Sequence, residues 1–206
     1  MKYLLFVFVV MAFTQSAVAS KKGEGTVYEV DKRSSVVHWS GSGLAGRHTG
    51  YVLIGSSSFK TQKDKLVEGH VELDLNTIDC RNYEFQDWNE QLVDHLKSDD
   101  FFAVDKYPSA EFSLTTIEKT EDPMVYTIKG ELGLKGITND ISFPARIHIS
   151  NDKLLVLGTA SIDRTQWGIK FASGRFFKNL GDELINDEIE IEFELVAKPV
   201  EDLASN

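Results

Sequence analysis

The sequence predicts an all-β protein: an antiparallel barrel of about eight to ten strands with one short α-helix set between strands. Four long stretches in which apolar and polar residues alternate carry that expectation. Turn-forming residues separate neighbouring stretches at hairpin spacing, and helical periodicity occurs once. Strands and helices do not alternate, so a parallel sheet is not expected. Long strands with one wet and one dry face leave a sandwich or a barrel, and closure favours the barrel because it removes exposed edges.

Weak strand patterns at 26–32, 35–41 and 49–54 open the domain. In 67–75, Val67, Val71, Leu73 and Leu75 share a face opposite Glu68, His70, Glu72 and Asp74. The rule then breaks between Phe85 and Lys97, where Trp88, Leu92 and Leu96 recur every fourth residue. Acidic side chains come early and His95 and Lys97 late, as a helix dipole prefers, so three helical turns are expected. A strand over 109–118 follows, set off from the next by Glu121-Asp122-Pro123. In 124–134 the inward set is Met124, Tyr126, Ile128, Leu132 and Leu134; in 141–149 it is Ile141, Phe143, Ala145, Ile147 and Ile149. Lys135 to Asn139 joins these two, and Pro144, which has no N–H, predicts an edge or a bulge. Ser150-Asn151-Asp152 leads into 153–163. The stretch Thr165–Asp187 is irregular and too aromatic for a solvated linker, holding Trp167, Phe171, Phe176 and Phe177 among glycines. In the last strand Ile189, Ile191, Phe193 and Leu195 alternate with four glutamates.

Composition narrows the function. The 206 residues carry 22 Lys plus Arg against 32 Asp plus Glu, a formal charge of -10, and since nucleic-acid binding needs clustered cations, no nucleic-acid partner is expected. The same acidity opposes tight electrostatic docking on anionic membranes. A single cysteine, Cys80, closes no intramolecular disulfide, and Asp79 beside it disfavours a reactive thiolate. Residues 1–19 read as a signal peptide, with Lys2, an apolar run from Leu4 to Phe13 and a small-x-small site at Ala17-Val18-Ala19. The mature chain, 20–206, is then a single exported domain, periplasmic or secreted, and no later segment is apolar enough to insert stably in a bilayer.

Catalytic and metal signatures are thin. The five histidines, His38, His48, His70, His95 and His148, are dispersed, with no His-Glu-x-x-His, no Gly-x-Ser-x-Gly and no phosphate-cradling loop. Asp94, His95, Lys97 and Ser98 are close in sequence, but consecutive helical residues point in different directions, so they read as a solvated face ending in a turn. No cofactor and no metal are expected.

Leu92-Val93-Asp94-His95-Leu96-Lys97-Ser98-Asp99-Asp100-Phe101-Phe102, with Lys106-Tyr107-Pro108-Ser109-Ala110-Glu111-Phe112, resembles the signature of the YceI-like family of bacterial exported proteins. So do Gly130 to Thr138 and Ala160-Ser161-Ile162-Asp163-Arg164-Thr165, and the resemblance runs from about Tyr28 to Leu195. The tail Phe171–Asp182 resembles a branch common in Bacteroidetes-type bacteria. At the first hairpin many members carry His-Leu-Gly, where this chain has Gly43-Leu44-Ala45-Gly46-Arg47-His48-Thr49-Gly50, a departure near the expected mouth that bears on ligand choice.

The resemblance implies a lipocalin-like barrel holding a long apolar chain, such as a polyisoprenoid, an isoprenoid quinone or a fatty-acid amide, for carriage or sequestration; a quinone would be cargo. Phe101, Phe102, Phe112, Phe143, Trp167 and Phe171 are the candidate lining, with plain packing the alternative for each. Arg164 is a candidate for the ligand's headgroup, or else fixes the late loop through a carboxylate. Two other classes fit the same pattern: an interaction module whose barrel is filled, and an enzyme acting on a lipid inside it.

Overall fold

Nine strands and one helix follow one another in the computed structural model, which describes residues 25–44, 46–81, 86–150 and 152–200. The strands are β1 (Thr26–Val30), β2 (Val36–Gly43), β3 (Gly46–Gln62), β4 (Lys65–Cys80), β5 (Ser109–Lys119), β6 (Val125–Leu134), β7 (Ile137–Ile149), β8 (Leu154–Asp163) and β9 (Ile185–Pro199); α1 (Gln86–Lys97) lies between β4 and β5. The expected signal peptide at 1–19, Ala45 of the first hairpin and Phe85 at the expected helix start lie outside the described residues.

Every pairing is antiparallel, and β2 through β9 close a ring of eight strand positions because β2 pairs with both β3 and β9. β1 is the ninth segment and shares β2's slot. It pairs with β3 at 59–61 and β9 at 197–199, where β2 does not reach. The chain interrupts itself between them in a turn at 31–35, where the Asp31 amide still donates to Val196 O at 2.7 Å. One composite strand therefore seals the seam and leaves no open edge there.

Two hairpins turn in two residues with both φ positive, Lys63-Asp64 between β3 and β4 and Lys135-Gly136 between β6 and β7. That geometry matches the right-handed twist of paired strands. The sequence allotted five residues to the second loop; its register instead continues to Leu134↔Ile137.

β3 and β4 are the longest strands, and three register shifts bend them around the barrel. These bulges explain where the alternation misleads. Lys60 pairs with Glu68 and Thr61 with Leu66, so Val67 is skipped and exposed while Leu66 turns inward. The shift between Tyr51 and Leu53, opposite Asp79 and Asp74, brings Ile78 and Cys80 into the core after Leu75. β3 reaches well beyond the expected 49–54 because the Ile54–Ser57 bulge hides its period. Met124 precedes β6 and is exposed. Pro144 sits in an unbroken β6–β7 ladder, and pairing with β8 starts only at Ala145, so it marks a local edge and no bulge.

The two barrel ends differ. At one, Tyr28, Val30, Phe59, Leu154 and Ala197 are all buried and pack the end shut. At the other, the β2–β3 and β6–β7 turns, α1, the 98–108 segment and the long connection from β8 to β9 are gathered. The Lys135 ammonium ties these together by donating to Asp99 O at 2.8 Å and Phe101 O at 2.6 Å, and burial lowers its pKa from the ordinary value.

Gly50 tests the closure. The Trp39 indole N–H donates to Asp79 O at 3.0 Å, and a Cβ on Gly50 would lie 1.7 Å from that oxygen. A Cβ on Gly41 would meet nothing within 4 Å. Urea denaturation is expected to show Gly50→Ala less stable by about 2–4 kcal/mol, with Gly41→Ala unchanged or slightly stabilised.

Candidate functional site

Inward residues of all eight strand positions enclose a cavity of about 620 Å³. Its wall is almost wholly aliphatic and aromatic, so the barrel is not filled by its own side chains. The wall residues that are themselves exposed, Gly46, Phe171, Asp182, Glu183 and Asn186, all lie in or beside the β2–β3 turn and the β8–β9 connection. The cavity therefore opens at that end.

The motif phenylalanines occupy different depths. Phe112 of β5 and Phe143 of β7 meet over the intervening β6 with ring centroids 5.4 Å apart, and Phe193 of β9 packs 5.6 Å from Phe143. Gly130 makes room for Phe112, whose ring would stand 2.4 Å from a Cβ there. Phe101 and Phe102 are buried just after α1, edge to face at 5.5 Å, in a turn where Phe102 N donates to Leu96 O. Phe171 is both on the wall and 40% exposed, at the mouth.

Trp167 is the exception among the expected lining residues. It is fully buried but off the cavity wall: the short 3₁₀ turn Arg164–Trp167 ends β8, and the indole N–H donates to Leu132 O at 3.0 Å. Packing, the alternative weighed for each aromatic, is its role.

Arg164 touches the cavity but directs most of its donors to backbone carbonyls. Its side chain is fully buried; Nε donates to Asn186 O, Nη1 to Ile169 O and Phe171 O, and Nη2 to Ile185 O, all at 2.9–3.1 Å. Nη2 is also 3.5 Å from Asp187 Oδ1, an ion pair without a hydrogen bond. Desolvation lowers its pKa, with Asp187 and Asp163 acting in the opposite sense. Arg164 thus fixes the late loop, through carbonyls more than the expected carboxylate, with four of its five N–H groups committed to that loop.

His95 was read as part of a solvated helix face and is instead on the wall. Asp94 is exposed, whereas Leu92, His95 and Leu96 form the inward stripe, spaced three and four apart. The imidazole lies edge-on to Phe171 at 4.5 Å and Phe101 at 5.6 Å, and its Nε2 is buried without a hydrogen-bond partner. Trp88, expected in the same stripe, is 56% exposed one turn earlier. The first hairpin supplies Gly41, Ser42, Gly43, Gly46 and His48, the last with a pKa lowered by burial. Among the described residues no cluster of His, Cys, Asp or Glu is arranged to hold a metal, and no helix is long and apolar enough to cross a membrane.

The sequence profile of the YceI-like domain matches residues 28–197. The chain belongs to that family. Among its relatives are Protein YceI of Salmonella newport, 27% identical over 65% of this chain and 65% of that protein, and a UPF0312 protein of Staphylococcus aureus, 33% identical over 40% and 49%. The match thus spans between half and two thirds of those relatives. Among solved structures, BcnA of Burkholderia cenocepacia superposes with a TM-score of 0.66 at 20% identity, covering 82% of this chain and 99% of that one. A polyisoprenoid binding domain from Saccharophagus degradans gives 0.59 at 16% over 85% and 99%, and the Campylobacter jejuni YCEI protein 0.52 at 18% over 98% and 100%. At these identities the likeness is one of fold, and the lipocalin-like barrel read from the YceI motifs is the fold observed.

Asp163, in the third family motif, ties the end of β8 to the late connection by charge. Burial raises its pKa, and hydrogen bonds from Thr165 Oγ1 at 2.6 Å, Arg175 Nη1 at 2.9 Å and the Thr165 amide outweigh that, leaving it below the ordinary value of 3.8. A lowered carboxylate pKa stabilises the fold above the unfolded pKa, and this contribution is lost as pH falls through the folded one. Stability of the 163–187 segment, followed by hydrogen exchange, is expected to be full above about pH 5 and to decline below about pH 4, with that step absent in Asp163→Asn.

Proposed function

We propose that this protein holds one long apolar lipid tail inside its barrel, for carriage or sequestration, and that it binds rather than catalyses. The cavity carries the reading: about 620 Å³ of apolar space, shut at one end and open at the other, inside an otherwise complete fold. A filled-barrel interaction module would have no such space. Export to the periplasm is part of the proposal, supported by the signal-peptide pattern of residues 1–19. A polyisoprenoid, an isoprenoid quinone or a fatty-acid amide suits a narrow tunnel, and the name of the Saccharophagus relative supports the first.

Entry is past Phe171. Its backbone is held, since Arg164 bonds its carbonyl and Ile185 N donates to Ala172 O at 2.9 Å, while its ring is part exposed. Rotation of that ring opens the wall and uncovers His95 Nε2. A polar group at the tail's end then supplies the missing hydrogen bond, which favours an oxygen- or amide-ended chain over a bare hydrocarbon.

Titration with a series of straight-chain alcohols tests this. Affinity is expected to rise about fourfold per methylene until the cavity is full, and then to level off. Phe143→Trp is expected to abolish uptake of the longest members while the barrel's circular dichroism and melting stay near wild type. His95→Phe is expected to weaken the alcohols about two- to tenfold and leave the matching hydrocarbons unchanged. Affinity independent of chain length would remove the cavity as the binding site.

A further inference from the structure

Residues 170–178, Lys-Phe-Ala-Ser-Gly-Arg-Phe-Phe-Lys, depart from the rest of the chain in two ways. They hold three cations and no carboxylate in a protein of net charge -10, and they expose Phe171, Phe176 and Phe177 to 40%, 46% and 49%. The exposure is imposed by the backbone. Ser173 is fully buried, and its carbonyl accepts from the amides of both Phe176 and Phe177 at 3.0 Å, so the two rings ride on a turn rooted in the core. Ala172, with φ of 49°, makes the bend just before it.

The turn adjoins the mouth. Leu184, on the cavity wall, packs on Gly174, where a Cβ would lie 3.2 Å from its Cδ1. The Leu184 carbonyl accepts from Leu44 N at 3.1 Å, and Leu44 at the tip of the β2–β3 turn is 67% exposed. Four large apolar side chains thus stand around the opening of an apolar cavity. Lys170 lies 4.8 Å above the Phe176 ring, an aromatic body with a cationic head.

We propose that this rim docks on a bilayer surface bearing anionic lipids. Exposed phenylalanines beside lysines fit the boundary between headgroups and acyl chains. The occupant is argued from the placement: a tail held in the cavity must come from an apolar phase, and the rim borders its only exposed wall residues among those described. Charge favours the same partner. Arg175 is matched by Asp163 at 2.9 Å and Asp187 at 3.6 Å, which leaves Lys170 and Lys178 to meet anionic headgroups. Asp182 and Glu183, also at the mouth, oppose deep attachment, so docking is shallow and salt-sensitive. The proposal rests on the chain-binding reading for its purpose, but its test does not require a loaded cavity.

Flotation of the protein with vesicles of phosphatidylethanolamine and phosphatidylglycerol, beside vesicles of phosphatidylcholine alone, reads docking directly. The wild type is expected to float with the anionic vesicles and to be released by added salt. The double substitution F176S/F177S is expected to reduce partitioning roughly tenfold or more, and K170E/K178E to reduce it by roughly fivefold or more per site and to remove the salt dependence. Both variants should melt as the wild type does and take up a long-chain alcohol delivered from solvent to the same extent. A wild type that does not float, or a phenylalanine variant that floats as well as the wild type, overturns the proposal. So does a dimer in sedimentation that F176S/F177S abolishes without any vesicle association, since the rings would then serve a second copy. Failure of alcohol uptake with flotation intact would sink the chain-binding reading and leave docking standing.

Discussion

The buried guanidinium of Arg164 holds the open end of the barrel together. A closed sheet satisfies its own backbone, but the connection from β8 to β9 crosses the end of the barrel with no strand beside it, and its inward carbonyls need donors. Arg164 supplies them to Ile169, Phe171, Ile185 and Asn186 from one planar group. Each such bond to a charged donor contributes about 1.5–3 kcal/mol net, and an orphaned buried carbonyl costs a similar amount. Desolvating the cation is offset because four of its five N–H groups bond carbonyls and the Asp187 carboxylate lies 3.5 Å away. Lysine, with three donors around a point, has no way to reproduce that planar arrangement.

The same logic accounts for the other family motifs. Lys135 ties the β6–β7 turn to the carbonyls of Asp99 and Phe101, and Ser98 Oγ caps the end of α1 by donating to His95 O at 2.7 Å. Asp163 binds Thr165 and Arg175. These polar residues, which in sequence invite catalytic readings, together build a rigid collar around the mouth. The apolar residues between them, Phe101, Phe102 and Phe171, become wall. Polar groups set the shape, and the apolar faces of the strands make the space.

Period two made the strands legible, since one face of each long strand is wet: Glu188, Glu190, Glu192 and Glu194 mark β9 as plainly as its buried partners do. It failed where a bulge flips parity, at Val67 and near Ile54–Ser57, because the pairing partner that skips a residue is remote in sequence. The cavity itself was not legible from pattern. Inward Val, Leu and Phe look alike whether they meet one another or surround a void, and only the YceI-like motifs pointed to a void. Trp167 and Phe143 show the difference at single residues: both are buried aromatics, yet one is locked onto Leu132 O and the other faces open space. His95 was readable in retrospect, standing three residues after Leu92 on the inward stripe, but a histidine near a helix end has an equally good reason to sit in solvent.

A collar that rigid restricts how the cavity opens. The carbonyl of Phe171 is held by Arg164 and that of Ala172 by Ile185, so the backbone on both sides of the mouth's aromatic residue is fixed to the barrel. Swinging the whole connection away would break the Arg164 bonds together and strand a buried cation. Rotating one phenyl ring breaks none of them, though it gives up the edge contact with His95 at 4.5 Å. The low-cost motion is thus a side-chain motion, and it occurs beside Phe176 and Phe177, which are already exposed on the turn rooted at Ser173. In a barrel built this way the chain itself sets the shape of the mouth, because the elements around it are bonded to one another.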